Sequence, residues 1–163
     1  MCVTETLNNL EQLGTGEAFQ AQLCQMLEKV QLLQDFDGVE IEKLSHYCGA
    51  YKAEAGAVIF KEGEKSQFMC LLVHGRVNIF KENKKVATIR AGKSMGEMSM
   101  VDGYPHSATA ISDEDSEFIL FTHFQFEHLC EENPSIGLKL YKAISKLMSL
   151  RLRQTTGTLI DYL

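Results

Sequence analysis

The stretch from Gly96 to Thr109 combines turn-forming residues with groups that bind anions. Gly96 opens the stretch, and Gly103 and Pro105 impose turns within it. Glu97 supplies a carboxylate, and hydroxyl residues close the stretch as an alternating strand pattern begins. A short helical turn starting near Glu97 would direct unpaired backbone N–H groups outward, which favours an anion such as phosphate. We therefore predict a phosphate-binding loop here.

The order of these residues follows a known pattern, in which Gly-Glu precedes Gly-x-Pro and then Arg, a small residue, Ala and Thr. The corresponding residues of this chain are Gly96-Glu97, Gly103-Tyr104-Pro105 and His106-Ser107-Ala108-Thr109. The stretch thus resembles the cyclic nucleotide-binding domains of catabolite activator proteins, kinase regulatory subunits and gated channels. The chain departs from the pattern at one position, where His106 replaces the arginine.

The resemblance implies a ligand and a role for the matched residues. In the family the glutamate, here Glu97, holds the ribose 2′-hydroxyl, and a small hydroxyl residue, here Ser107, joins backbone amides at the phosphate. The resemblance also places the last helix over the base, with Thr155 and Thr156 as candidate base contacts. We predict weak binding of cyclic AMP or cyclic GMP, with no metal, at Gly96, Glu97, Met98, Ser99, His106, Ser107, Ala108, Thr109, Thr155 and Thr156.

The histidine at position 106 lowers the expected affinity for a phosphate. Arginine offers five donors and is always charged, whereas histidine has a reference pKa of about 6.5 and is mostly neutral at pH 7. Losing a buried charge partner costs about 2–5 kcal/mol, which is an affinity factor of roughly 30 to several thousand. Two groups could restore the charge: protonated His106 below pH ~6.5, or Lys93, which precedes Gly96 by three residues.

These observations leave two functions open and disfavour a third. The first is a cyclic nucleotide sensor, whose ligand shifts the final helix and so reports to a partner protein. The second is a degenerate domain that acts as a protein-interaction module, with another ligand or none. The Gly96-Glu97 pair and Ser107-Ala108-Thr109 favour the first, and His106 favours the second. We predict no enzymatic activity, because the five histidines include no His-x-His pair and no hydrolase, Walker or zinc-protease motif occurs.

The chain as a whole has the composition of an ordinary globular protein. Its 163 residues are 45% hydrophobic and 23% charged, so we expect one domain over residues 1–163. The formal net charge of −6 disfavours a nucleic-acid or anionic membrane surface, which needs clustered Lys and Arg. We see no secretory signal and no apolar run of the roughly 18 residues that a membrane helix needs. The five cysteines show no paired spacing, which favours reduced thiols in the cytoplasm.

Three groups of elements must position the loop. Apolar residues at helical spacing predict two helices joined at Gly14-Thr15-Gly16, followed by a short helix around Leu44. At Gly49 the period changes to that of short strands, which predicts an antiparallel sandwich or barrel. The predicted fold class is α+β, an antiparallel jelly-roll barrel over residues 49–122, flanked by N-terminal helices (1–48) and C-terminal helices (123–163).

The last predicted helix, which begins at Pro134, is longer than a small barrel needs. In the family this helix pairs subunits, so the resemblance implies a homodimer through it. We also expect a partner protein that the sequence does not identify. No helix-turn-helix pattern follows, so we predict no DNA-binding domain.

Overall fold

A computed structural model describes residues 10–160 as an antiparallel barrel with helices before and after it. The elements are β1 (Glu11–Gln12), α1 (Glu17–Glu28), a 3-10 helix (Gln31–Leu33), α2 (Gly38–Ser45), β2 (Gly49–Ala53), β3 (Val58–Phe60), β4 (Phe68–His74), β5 (Arg76–Lys81), β6 (Lys84–Arg90), β7 (Ser94–Met95), α3 (Glu97–Asp102), β8 (Thr109–Ser112), β9 (Ser116–Thr122), α4 (His123–Glu132) and α5 (Pro134–Ile160).

The strands form two antiparallel sheets. One has the order β1-β2-β9-β4-β7 and the other the order β3-β8-β5-β6. The β5–β6 hairpin turns at Glu82 and Asn83, whose φ angles of 48° and 63° are those of a tight type I′ turn. The α+β class and the flanked antiparallel barrel agree with the sequence-based prediction.

Strands β4 and β9 are buried on both faces. On β4, Met69 and Leu71 pack with the helices, while Phe68, Cys70 and Leu72 pack in the barrel interior. Strand β9 alternates in the same way and pairs with β4 along its length. Because side chains alternate between the faces of a strand, burial on both sides requires a continuous apolar run. The apolar runs in the sequence are therefore the centre of the sheet.

Local capping signals start the helices at defined residues. Asp37 and Glu40 form a reciprocal capping box at α2, with both side chain-to-backbone bonds at 2.9 Å. Helix α4 begins with an equivalent box made by Thr122 and Gln125. Pro134 opens α5, where its missing N–H costs no hydrogen bond. These signals fix the residues at which α4 and α5 begin, and therefore which face of α5 packs against the core.

The N-terminal region differs from the prediction of helix up to Gly14. Glu11 and Gln12 form a short strand that pairs with Lys52 and Tyr51 of β2. Leu10 is buried with the barrel interior rather than on a helix face, and this long-range packing outweighs the local helical spacing. The part of the predicted helix before residue 10 lies outside the described residues.

Candidate functional site

The predicted phosphate loop is a short helix between two left-handed glycines. Gly96 follows β7 with φ 80°, α3 comes next, and Gly103 ends it with φ 70°. A Cβ at Gly96 would lie 2.8 Å from the carbonyl oxygen of Phe68. Both the φ angle and the proximity of β4 therefore require glycine. This tight turn fixes Glu97 as the first residue of α3.

The Glu97 carboxylate is buried and is paired with a cation from α5. Only 3% of Glu97 is exposed. Arg151 Nη1 donates to Glu97 Oε2 at 2.8 Å, and Arg151 Nη2 donates to the carbonyl oxygen of Ser94 at 2.7 Å. Glu97 Oε1 has no hydrogen-bond partner among residues 10–160. A carboxylate out of water needs a cation and donors, and within the described part of the chain one of its two oxygens receives them and the other does not.

The ring of His106 belongs to the barrel interior. It stacks on Phe60 with ring centroids 4.0 Å apart and meets Phe68 edge-on at 5.1 Å. Burial lowers the pKa of His106 to about 4, against a smaller opposing effect of the Glu64 charge. The ring is therefore neutral at pH 7, and protonation near pH 6.5 does not supply the missing charge.

The second candidate cation also has another partner. The Lys93 ammonium group donates to Gln31 Oε1 on the 3-10 helix. Lys93 is therefore held against the N-terminal helices and not against α3. Arg151, unlike Lys93, is in contact with Glu97.

Within α3, the other two candidate residues differ in exposure. Met98 is half exposed, whereas Ser99 is buried. The Ser99 hydroxyl donates to the carbonyl oxygen of Tyr104 and so closes the loop on itself. Ser99 thus stabilises the loop conformation, while Met98 faces outward.

The three candidate residues after His106 lead into β8. Ser107 is exposed, and its carbonyl oxygen accepts a hydrogen bond from Lys81 Nζ at 2.8 Å. Ala108 is half-buried. The Thr109 hydroxyl accepts a hydrogen bond from the backbone N–H of Glu62 at 2.9 Å. Of these three residues, Ser107 is the exposed one.

The candidate base contacts lie beyond Arg151 on α5. Thr155 and Thr156 are exposed, and their hydroxyls donate to the carbonyl oxygens of Arg151 and Leu152 at 2.9 Å. In contrast, Gly96, Glu97 and His106 are close together. The structure therefore brings Gly96, Glu97 and His106 together and leaves the two threonines exposed.

Sequence reasoning missed Arg151. A signal for it was present, because Ile144, Met148 and Arg151 recur at spacings of four and three, which places them on one helix face. Ile144 is buried and Met148 packs against the same core, so this face points at the protein. A cation on the inward face of a helix needs an anionic partner.

The family model described as "Cyclic nucleotide-binding domain" matches residues 51–133. The match runs from within β2 through β9 and α4, and it includes the loop with its Gly-Glu pair. The chain therefore belongs to the cyclic nucleotide-binding domain family.

Solved structures have the same fold. A cyclic nucleotide-binding domain from Methylobacillus flagellatus KT superposes with a TM-score of 0.84 at 24% identity, over 99% of this chain and 93% of that one. The regulatory domain of Toxoplasma gondii PKA, solved with cAMP, gives a TM-score of 0.66 at 20% identity, over 79% of this chain and 51% of that one.

A curated relative is much longer than this chain. Lysophospholipase NTE1 of Chaetomium globosum is 29% identical over 102 residues, which are 60% of this chain and 7% of that protein. The similarity therefore concerns a domain-sized part of the relative.

Residues 10–160 contain no group of three or more His, Cys, Asp or Glu side chains placed to hold a metal ion. Cys70 lies in the barrel interior, where burial and the nearby Glu97 charge raise the pKa of its thiol. A protonated, buried thiol is a poor nucleophile and a poor metal ligand.

Within the same described range, none of the helices has both the length and the apolar character needed to cross a membrane.

Proposed function

We propose that the chain is a cyclic nucleotide-responsive regulatory module, in which ligand at Glu97 is coupled to the position of α5. The observation that carries this proposal is the Glu97 carboxylate, which is buried, has one oxygen without a partner among the described residues, and holds α5 through the other. A buried acceptor of this kind is suited to a ligand hydroxyl.

The ligand in this proposal is cyclic AMP or cyclic GMP. Its ribose 2′-hydroxyl donates to Glu97 Oε1, while the N-terminal amides of α3 and the Ser107 hydroxyl face its phosphate. The cAMP in the structure of the T. gondii regulatory domain supports this ligand class. Which of the two bases is preferred depends on α5, where Thr155 lies one turn beyond Arg151.

Coupling follows from the placement of Arg151 on α5. A ligand that contacts Glu97 changes the electrostatic environment of the Arg151 guanidinium, and thereby the relative stability of two positions of the helix. Movement of α5 toward the barrel would bring Thr155 and Thr156 to the base. The exposed end of α5 would then carry the signal to a second copy of the chain or to another protein.

The first test is isothermal titration of cyclic AMP and cyclic GMP into the full chain at pH 7. We expect binding that weakens by at least about 10-fold in Glu97→Gln, because the variant loses a charged acceptor. The matched control is Glu42→Gln, which removes an exposed carboxylate on α2. Unchanged affinity in Glu97→Gln would show that the ligand does not contact Glu97.

The neutral, buried His106 favours a second candidate function. A site in which a buried histidine replaces the arginine of the family pattern suits a protein-interaction module that has another ligand or none. The same titration with His106→Arg separates the two candidates. If only the arginine variant binds a cyclic nucleotide, the chain is a degenerate member of its family and the search moves to protein partners.

The proposed module is a non-enzymatic, cytoplasmic homodimer without nucleic-acid or membrane partners. The division into residues 1–48, 49–122 and 123–163 within one domain, with no DNA-binding domain, likewise remains a prediction. Sedimentation of the purified chain tests the dimer, and cell fractionation tests the location.

A further inference from the structure

We propose that Arg151 is the anion-binding residue of this site, and that it recognises the phosphate of a monoanionic phosphate ester whose neighbouring hydroxyl binds Glu97. This inference rests on the proposed function and names the group that neutralises the ligand. The cation would come from α5 rather than from the loop. Binding of the anion would then also determine the position of α5.

The geometry leaves Arg151 able to bind a second anion. A guanidinium has five N–H donors in one plane. The described contacts use one N–H toward Glu97 and one toward Ser94. The Arg151 side chain is 37% exposed, whereas that of Glu97 is 4% exposed. Arg151 therefore spans the boundary between the buried carboxylate and the solvent from which a ligand arrives.

Glu97 supplies the second, independent observation. Its Oε1 is buried and lacks a hydrogen-bond partner among residues 10–160, although the same carboxylate is firmly held at Oε2. A ligand that places a hydroxyl at Oε1 satisfies this oxygen. Its phosphate is then close to the guanidinium that holds Oε2. The Glu97 carboxylate and the Arg151 guanidinium together would recognise a hydroxyl next to a phosphate.

The charges at the site are sufficient for such a ligand. One carboxylate, one guanidinium and one phosphate monoanion are also the charges of a site that has arginine in the loop. Lys81 is paired with Glu62 and the Ser107 carbonyl oxygen, and Lys93 is bonded to Gln31. Among the described residues, Arg151 is the cation that forms an ion pair with Glu97.

The test is isothermal titration of cyclic AMP and cyclic GMP into four variants of the full chain. We expect Arg151→Gln to weaken binding by roughly 30-fold or more, since a charge partner of the phosphate is lost. Arg151→Lys keeps the charge without the planar donors and should weaken binding less. Arg153→Gln, an exposed arginine on the same helix, is the matched control and should bind as the natural chain does. Arg151→Gln with His106→Arg should recover binding, because the arginine returns to the loop.

Each alternative result has a definite meaning. If the natural chain binds and Arg151→Gln binds equally well or more tightly, Arg151 is not the anion partner, while the sensor proposal stands. If only chains with His106→Arg bind, Arg151 cannot replace the loop arginine, and the inference is wrong. If no chain binds either nucleotide, the proposed function and the inference both fail. Thermal unfolding of each variant identifies a loss of binding that is caused by unfolding. If Arg151→Gln does not fold, the affinity of Arg151→Lys is compared with that of the natural chain instead.

Discussion

At the scale of single residues, the candidate site centres on the Glu97 carboxylate, of which one oxygen is hydrogen-bonded and the other has no partner among residues 10–160. Glu97 is buried at the start of α3, and Arg151 and the Ser94 carbonyl oxygen form a small network with it. A salt bridge at this depth stabilises little on balance, because desolvation offsets the attraction between the charges. The pair instead holds Arg151 in one position, and the proposed ligand would act by competing for Glu97 or Arg151.

The first prediction at this scale concerns the backbone conformation of Gly96. We expect Gly96→Ala to lower the free energy of unfolding by about 2–4 kcal/mol, since alanine is strained at φ 80° and its Cβ would meet Phe68. Gly56→Ala is the control, because Gly56 has φ 84° but open space around it, and should cost about 1 kcal/mol. Urea denaturation measures both. Equal costs would mean that the steric contact with β4 does not constrain the loop.

His106 gives a prediction about pH. Its folded-state pKa of about 4 lies below the usual value near 6.5, so the unfolded chain binds more protons between these two pH values. The His106 contribution to stability is full above pH 6.5 and is lost as the pH falls toward 4. The loss between pH 7 and 4.5 should be roughly 2 kcal/mol.

The measurement is urea denaturation across this pH range. We expect His106→Gln to flatten the pH dependence relative to the natural chain, and His46→Gln, an exposed histidine on the same protein, to leave it unchanged. If the unfolding free energy of His106→Gln depended on pH as that of the natural chain does, groups other than His106 would be responsible for the pH dependence.

At the scale of elements, α5 has two parts with different surroundings. Its first part is buried through Ile136, Leu140 and Ile144, and Arg151 is the last residue of the helix that is not exposed. Beyond it, Leu152, Leu159 and Ile160 are 60–68% exposed. Apolar side chains left in water on a helix end are typical of a surface that pairs with another chain.

This face predicts a homodimer in solution. Leu152 and Leu159 are two helical turns apart on one face, so Leu152→Glu with Leu159→Glu should convert a dimer into a monomer through charge in an apolar interface. Val39→Glu, at an equally exposed valine on α2, is the control. Sedimentation equilibrium gives the mass of each. A natural chain that sediments as a monomer at all accessible concentrations would contradict the prediction.

Sequence patterns predicted the elements wherever burial is regular. The apolar runs of β4 and β9 and the hairpin at Asn83 followed from local rules, because double burial and a tight turn leave signals in neighbouring residues. Strand β1 was missed, since its two exposed residues acquire their structure only by pairing with β2, about 40 residues away. The Glu97–Arg151 pair was missed for the same reason, because its partners are 54 positions apart. Burial of the His106 ring likewise depends on Phe60 and Phe68, which no local pattern links to it.

At the scale of the whole molecule, α5 contacts both the helical core and the loop. Leu140 and Ile144 pack in the core that includes the outer face of β4, and Arg151 reaches the carboxylate beside the barrel. The barrel holds the loop in place through Gly96 and β4, whereas residues 152–160 of α5 are exposed. The response to ligand that we propose is therefore assigned to α5 and not to the sheets.

The most direct test is hydrogen–deuterium exchange of the full chain, with and without saturating cyclic AMP and cyclic GMP. We expect ligand to slow amide exchange in α3 and also in residues 149–160 of α5, and Arg151→Gln to abolish the effect in α5. Protection of α3 without any change in α5 would contradict the coupling between Glu97 and the helix. Unchanged exchange in both elements, with both nucleotides, would contradict the cyclic nucleotide response itself.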